Sequence, residues 1–355
     1  MTLITQKLAV NALPSGVHKQ YFQAMTDAIG QAVLIPLWVF KGEEDRIPLD
    51  RNSVEKEKNK EKGQYKEKTS QRVVITAGLH GDEMNGVLTA QAIVRELHGY
   101  HAKGGQIHGT IMIVPILNPK GVLSHSRRFV CSDHEQPSQD LNRLFPGKAA
   151  GNSAERFTNA IWTNLLQGNA DIAIDLHTQT MGASYPLYAF SDYRIPQCKA
   201  LAKQIGADVI LDDPGEKGVL ETEWNQQGVP AITLEIGAGK VIDKALIERS
   251  QRGLLNLLHR QGILPDYVPP KESDVRCRPI EGKKTLTMRA EEGGFCIPCV
   301  ELLQKVAAGD LISIQYNDFG EEIKRYIAPK SGVVISINTD PIRDFGGLIG
   351  RLLID

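Results

Sequence analysis

Between residues 73 and 260, short apolar runs alternate with segments of helical spacing, and this alternation constrains the fold more than any other feature of the chain. "VVITAGLHG", "GTIMIVPILNP", "ADIAIDLHTQT", "DVILD" and "GVPAITLEIGAG" read as buried strands. Between them lie "EMNGVLTAQAIVRELHG", with Val87, Ala90, Ile93, Val94 and Leu97 on one face, and "SAERFTNAIWTNLLQG". "IPQCKALAKQIGA" and "IDKALIERSQRGLLNLLHRQGIL" complete the helical set. Strands separated by helices predict an α/β fold with a mostly parallel or mixed central sheet flanked by helices.

The flanks have a different texture. "FQAMTDAIGQAVLIPLWVFKG" begins as a helical turn and ends as a strand. Residues 42–72 are dense in Lys and Glu and read as a solvated insertion. After the proline-marked linker "LPDYVPPKES" come short, glycine-rich β runs such as "KTLTMRAEEGGF" and "SGVVISIN". An α/β domain over 1–265 is therefore expected, followed by a small all-β, barrel- or sandwich-like domain over 275–355.

Composition excludes several classes of function. A net charge of -1 over 355 residues gives no field that would draw nucleic acid or an anionic membrane. The chain lacks an apolar window long enough to span a bilayer, and its start lacks the pattern of a signal peptide. Five scattered cysteines argue against a disulfide framework and for a reducing, cytoplasmic setting. The C-x-x-C pair Cys296 and Cys299 lacks the second pair that a zinc ribbon needs, and reads as small apolar residues in the β region.

Open α/β sheets place their ligands beyond the carboxyl ends of the strands. Here those ends carry polar groups: His80 and Glu83, Asn118, Asp175 and His177, and Glu235. His80 and Glu83 are three apart, around Gly81, and offer nitrogen and carboxylate donors. His177, from another strand end, supplies a third ligand for a catalytic zinc that keeps one position open. Such an ion polarises a carbonyl and acidifies water to a pKa of roughly 7. Glu235, at the end of an apolar strand, is the candidate base. Asp82 is unassigned, except that a negative charge favours the start of the following helix.

The stretch "NPKGVLSHSRRFVCSDHEQPSQDLNRLFPG" is a long loop of the kind that often carries function. Arg127, Arg128, Asn142 and Arg143 are candidates to bind a carboxylate, and Asp140 to accept from a zinc histidine.

In this order, "GLHGDEMNG", "NPKG", "SQDLNRLFPG", "DLHT" and "TLEIG" resemble the succinylglutamate desuccinylase and aspartoacylase family, a branch of the zinc-carboxypeptidase-like hydrolases. The resemblance covers about residues 73–260, and the C-terminal β region is similar to that family's small β-domain. It implies one zinc ion per chain on His80, Glu83 and His177. It also implies Glu235 as the base that activates water and then protonates the leaving amine. Asn142 and Arg143 match the pair that holds a substrate carboxylate, and Asp140 matches the acid behind a zinc histidine. Arg127 best matches the arginine that polarises the scissile carbonyl, and Arg128 stands beside it as the alternative. The implied reaction is hydrolysis of the amide of a small N-acyl amino acid. A carboxypeptidase acting on a peptide end and a non-catalytic binding protein are the other readings, and homo-oligomerisation stays open. "IAPKSGVV" resembles a biotinyl/lipoyl-type barrel, but Lys330 lacks the context of an attachment lysine and reads as a turn residue in an accessory domain.

Overall fold

A computed structural model describes residues 2–43, 71–133, 135–269 and 278–354. Most of the expected 42–72 insertion and part of the linker, together with Cys277, lie outside these residues.

The first strands are β1 (Thr2–Ile4), β2 (Gly16–Thr26), β3 (Ala32–Lys41) and β4 (Arg72–Ala77). Helix α1 (Met84–Ala102), β5 (Thr110–Val114), α2 (Pro119–Leu123), α3 (Ser153–Ala160) and β6 (Ile172–Gln179) follow. Next come β7 (Ala183–Ser184), β8 (Leu187–Ser191), α4 (Pro196–Ile205), β9 (Val209–Asp212), α5 (Leu220–Gln226), β10 (Ala231–Ala238) and α6 (Lys244–Arg260). A ten-stranded sheet runs β1-β2-β3-β5-β4-β6-β10-β8-β9, with β11 (Ile280–Gly282) at its edge. The sheet is mixed. β5, β4, β6 and β10 pair in parallel, whereas β3 joins β5, and β8 joins β10, antiparallel.

The expected helical turn at residue 22 is absent, because Phe22 to Thr26 pair across a hairpin with Ile35 to Ala32. The Asp27 side chain accepts from the Ile29 and Gln31 amides and closes the turn. Helix α3 starts at the expected serine, and its cap is the residue before it. Asn152 caps it and Glu155 reaches back to the Asn152 amide, so two orphan donors are satisfied at once. The helix then widens into a π-type turn over Ile161–Leu166.

Side chains on the central strands alternate between two cores. Ile75, Ile174, Leu176, Ile232 and Leu234 face the helices α1, α4 and α6. Val74, Ala173 and Ala231 face the opposite side, where Phe157, Leu220 and Trp224 pack. The polar residues of the same strands share this second side. Thr76 lies opposite Asp175, which lies opposite Thr233, and His177 lies opposite Glu235. Period-2 alternation therefore puts a polar row on one face of an otherwise apolar sheet.

The remaining strands are β12 (Lys284–Arg289), β13 (Gly294–Pro298), β14 (Lys305–Val306), β15 (Leu311–Tyr316), β16 (Glu322–Ile327), β17 (Gly332–Asn338), β18 (Ile342–Arg343) and β19 (Leu348–Ile354). They form two small sheets, β12-β19-β17-β14 and β16-β15-β13-β18, around their own core. Cys296 is buried in that core and Cys299 is exposed; Lys330 sits in a bend. Strands cross between the two parts of the chain. β7 pairs with β17, while β11 extends the large sheet through β9.

Candidate metal centre and its surroundings

His80 and Glu83 leave the end of β4 in a tight turn, which needs glycine at two places for different reasons. Gly78 has φ +65°, a left-handed conformation that favours glycine. Gly81 does not have positive φ; instead a Cβ there would lie 1.9 Å from the backbone carbon of Gly121. Close approach, not a sharp turn, requires glycine at 81. The Asn118 side chain holds the facing backbone: Oδ1 accepts from the Gly121 amide, and Nδ2 donates to the Leu79 carbonyl. Asn118 is thus a scaffold group, although it stands at a strand end.

The structure brings His80, Glu83 and His177 together, all buried, with one donor atom from each within 4.8 Å of the others. Glu83 Oε1 is 2.8 Å from His80 Nδ1, and Oε2 is 2.8 Å from His177 Nδ1. The two Nδ1 atoms face each other at 3.2 Å. Each Nε2 meets a carboxylate, Asp140 Oδ1 at 2.8 Å for His80 and Asp175 Oδ2 at 2.7 Å for His177. Carboxylates only accept and each ring meets one at both nitrogens, so it is a cation among Glu83 and the two Nδ1 atoms that would leave the rings donating from Nε2 with bare Nδ1 lone pairs turned to it. Converging lone pairs beside a carboxylate repel unless a cation lies among them, so this donor set fits a divalent metal.

Asp175 was not assigned a role from sequence. Its signal was alternation: it lies two residues before His177 on one strand and so shares its face. Its other oxygen accepts from Thr76 Oγ1 at 2.6 Å.

Glu235 lies opposite His177 across the β10–β6 pairing and is 7% exposed, with Oε2 lacking any hydrogen-bond partner among the described residues. Burial pushes its carboxyl up to about 7, against the pull of the His177 charge. Buried Asp82 also has an unpartnered oxygen and stands two residues before α1.

The adjacent arginines diverge. Arg127 donates to Glu83 Oε1 at 2.7 Å and to Asp140 Oδ2 at 3.2 Å. Arg128 turns away, and its Nη1 donates to the Ser138 carbonyl at 3.0 Å. Asn142 spends its side-chain oxygen on the Leu220 amide at the start of α5, at 2.8 Å. Arg143 is half-exposed, with Nε 3.6 Å from Glu216.

Helix α5 adds a group that sequence reading passed over. Glu221 is buried, and its Oε2 accepts from Thr233 Oγ1 at 2.6 Å. Burial, with Asp213, Asp175 and Asp192 nearby, pushes its carboxyl up to about 8 from an ordinary 4.5. Below pH 4.5 both folded and unfolded chains hold this proton. Between 4.5 and about 8 only the folded chain keeps it, so stability falls as pH rises through that window, at up to about 1.4 kcal/mol per unit. Glu221→Gln is expected to raise the thermal midpoint at pH 8 and to change it little at pH 5. Equal shifts at both values in scanning calorimetry would show that Glu221 is ionised in the folded protein.

Convergent donors at the carboxyl ends of parallel strands, with a buried carboxylate facing them, define an α/β protein whose site could hold a metal ion. Its family is narrower. The succinylglutamate desuccinylase/aspartoacylase catalytic domain matches residues 69–260, and the chain belongs to that family. The N-alpha-acetyl-L-2,4-diaminobutyric acid deacetylase of Halomonas elongata is 24% identical over 273 residues, covering 74% of this chain and 75% of that one. The human N-acyl-aromatic-L-amino acid amidohydrolase is 30% identical over 135 residues, 35% of this chain and 38% of its own. Among solved structures, a succinylglutamate desuccinylase/aspartoacylase from Rhodobacter sphaeroides superposes with a TM-score of 0.77 at 17% identity, covering 99% of this chain and 98% of that one. The product-bound ectoine utilization protein EutE (DoeB) of Ruegeria pomeroyi gives 0.74 at 19%, covering 99% of both chains. These likenesses establish the fold, including the C-terminal antiparallel sheets. No described helix is long and apolar enough to cross a membrane.

Proposed function

We propose that this protein is a zinc-dependent hydrolase that cleaves the amide bond of a small N-acyl amino acid, releasing a carboxylic acid and an amine. The observation that carries this reading is the convergence of His80 Nδ1, Glu83 and His177 Nδ1 beside the unpartnered oxygen of Glu235. Two relatives named as a deacetylase and an amidohydrolase of N-acyl amino acids support it.

His80, Glu83 and His177 would hold one zinc ion. When bound, zinc supplies a Lewis acid that polarises the scissile carbonyl and acidifies the attacking water. Glu235 takes the proton from that water and passes it to the leaving nitrogen, a task suited to a carboxylate raised toward neutrality. Asp140 and Asp175 hold the two imidazoles in one tautomer and one orientation. Arg127, held by Glu83 and Asp140, has N–H donors left over to meet negative charge developing on the carbonyl oxygen. Arg143 grips the substrate carboxylate, while Asn142 fixes the start of α5 beside it. A cytoplasmic setting accords with the free thiols of Cys131, Cys198, Cys296 and Cys299.

The test is a screen of N-succinyl, N-acetyl and N-formyl amino acids, scored by amine release, on protein of known metal content. About one zinc per chain and turnover that vanishes on chelation are expected. Full turnover by the metal-free protein would overturn the reading.

A further inference from the structure

Glu221 is tied to two parts of the candidate site. On the sheet side its Oε2 accepts from Thr233 Oγ1 at 2.6 Å. Thr233 lies two residues before Glu235 on β10, so the two share a face about 7 Å apart. On the loop side, the amide of Leu220, next to Glu221, donates to Asn142 Oδ1 at 2.8 Å. The Phe145 amide donates to the Gly218 carbonyl at 3.0 Å, and a Cβ at Gly218 would lie 2.3 Å from the Arg143 carbonyl oxygen. Glu221 is therefore fixed between the strand of the candidate base and the backbone of Arg143.

In an N-acyl amino acid the scissile nitrogen and the carboxylate are bonded to one carbon, which also carries the side chain. With the nitrogen at Glu235 and the carboxylate at Arg143, the side chain enters the space that Glu221 borders. Charge there is one-sided. Burial, then Asp213, Asp175 and Asp192, strengthen the hold of Glu221 on a proton. Asp192 has Arg194 and Asp175 has the His177 ring, whereas Glu221 has, among the described residues, a threonine hydroxyl and no cation. Two further polar atoms nearby are buried without partners among the described residues, Oε2 of Glu235 on the same face and Oγ1 of Thr222 next to Glu221. Buried polar groups left open in this way call for a ligand. An ammonium or guanidinium brings both the N–H donors and the positive charge that the acids lack.

We infer that Glu221 selects the side chain of the substrate, and that it selects a cation: an Nα-acyl amino acid whose side chain ends in an ammonium or guanidinium group. The inference rests on the amide-hydrolase reading. In the free protein Glu221 holds a proton near neutral pH. It releases that proton to solvent as the cation arrives, and carboxylate and cation then neutralise each other.

The test uses two isosteric pairs, ornithine with norleucine and arginine with citrulline. Each is Nα-acylated with the group that wild type removes fastest. They are compared on metal-replete wild type, Glu221→Gln and Glu221→Asp. In wild type the cationic member of at least one pair should have the higher kcat/KM, and that pair identifies the cation. In Glu221→Gln the ratio within that pair should fall about 10- to 100-fold, the scale of one charge-assisted hydrogen bond. Glu221→Asp should keep part of the preference, because the charge stays, one methylene farther back. No preference for a cation in wild type would overturn the assignment. So would a preference that survives in Glu221→Gln, including one kept while all four rates fall together. If wild type cleaves none of the four but releases amine from other N-acyl amino acids, the assignment fails and the hydrolase reading stands. If it releases amine from none, the hydrolase reading fails, and calorimetry with free ornithine and norleucine decides the subsite alone. Tighter ornithine binding that is lost in Glu221→Gln supports it; equal binding of the two overturns it.

Discussion

Glu235→Gln should lower turnover by at least about 100-fold while leaving metal content at the wild-type level. Glutamine has nearly the same shape and can accept a hydrogen bond, but it cannot take a proton from water. General acid–base contributions of roughly 100- to 10,000-fold set the scale, and 100-fold is about 2.7 kcal/mol of activation free energy. Glu235 is not among the three converging donors, so the metal should stay. The side chain is buried with one oxygen unpartnered, so replacing it with a neutral group removes a desolvation cost and should not lower stability. Steady-state amine release and elemental analysis on the same preparation check both halves. Near-normal rates would place the base elsewhere.

Asp175→Ala should weaken metal affinity by about 10- to 100-fold, the usual scale for losing a carboxylate behind a ligating histidine. Asp175 receives the His177 Nε2 proton at 2.7 Å, which keeps Nδ1 bare on the metal side. Without it, His177 is free to adopt the other tautomer, with Nδ1 donating to Glu83 2.8 Å away and competing with the ion. Thr76 Oγ1 would also lose its carboxylate partner in a buried place, so a stability loss of about 1–3 kcal/mol should accompany the change. Titration against a competing chelator measures the first effect, and denaturant unfolding the second. Unchanged affinity would mean that Asp175 does not set the His177 tautomer.

Much of the central sheet was legible because its strands are buried on both faces. Such strands appear as continuous apolar runs, and β4, β6 and β10 stand where those runs are. Residues 22–26 misled because a half-buried hairpin strand has no strong period of its own, and its pairing with β3 decides its conformation. Helix α5 is only seven residues long, too short for a periodic signal, and its burial against the sheet stabilises it. β7 and β11 are too short to be read as strands; each exists because an edge of another sheet completes it.

For the site, the sequence by itself placed polar groups at the ends of apolar strands. Local chain geometry is enough for that, because alternation and glycine spacing belong to the chain. Those strand ends include His80, Glu83, His177 and Glu235, which the fold gathers on one side of the sheet. Which of two adjacent arginines reaches the centre, and that Asp175 joins its surroundings, only the tertiary structure decided. Arg127 and Arg128 are equivalent in sequence and differ only in which acids and carbonyls the fold sets opposite them. Asp175 lies 99 positions beyond Thr76 and meets its hydroxyl because β6 pairs with β4. Contacts between residues so far apart depend on which strands pair, and no local pattern records that.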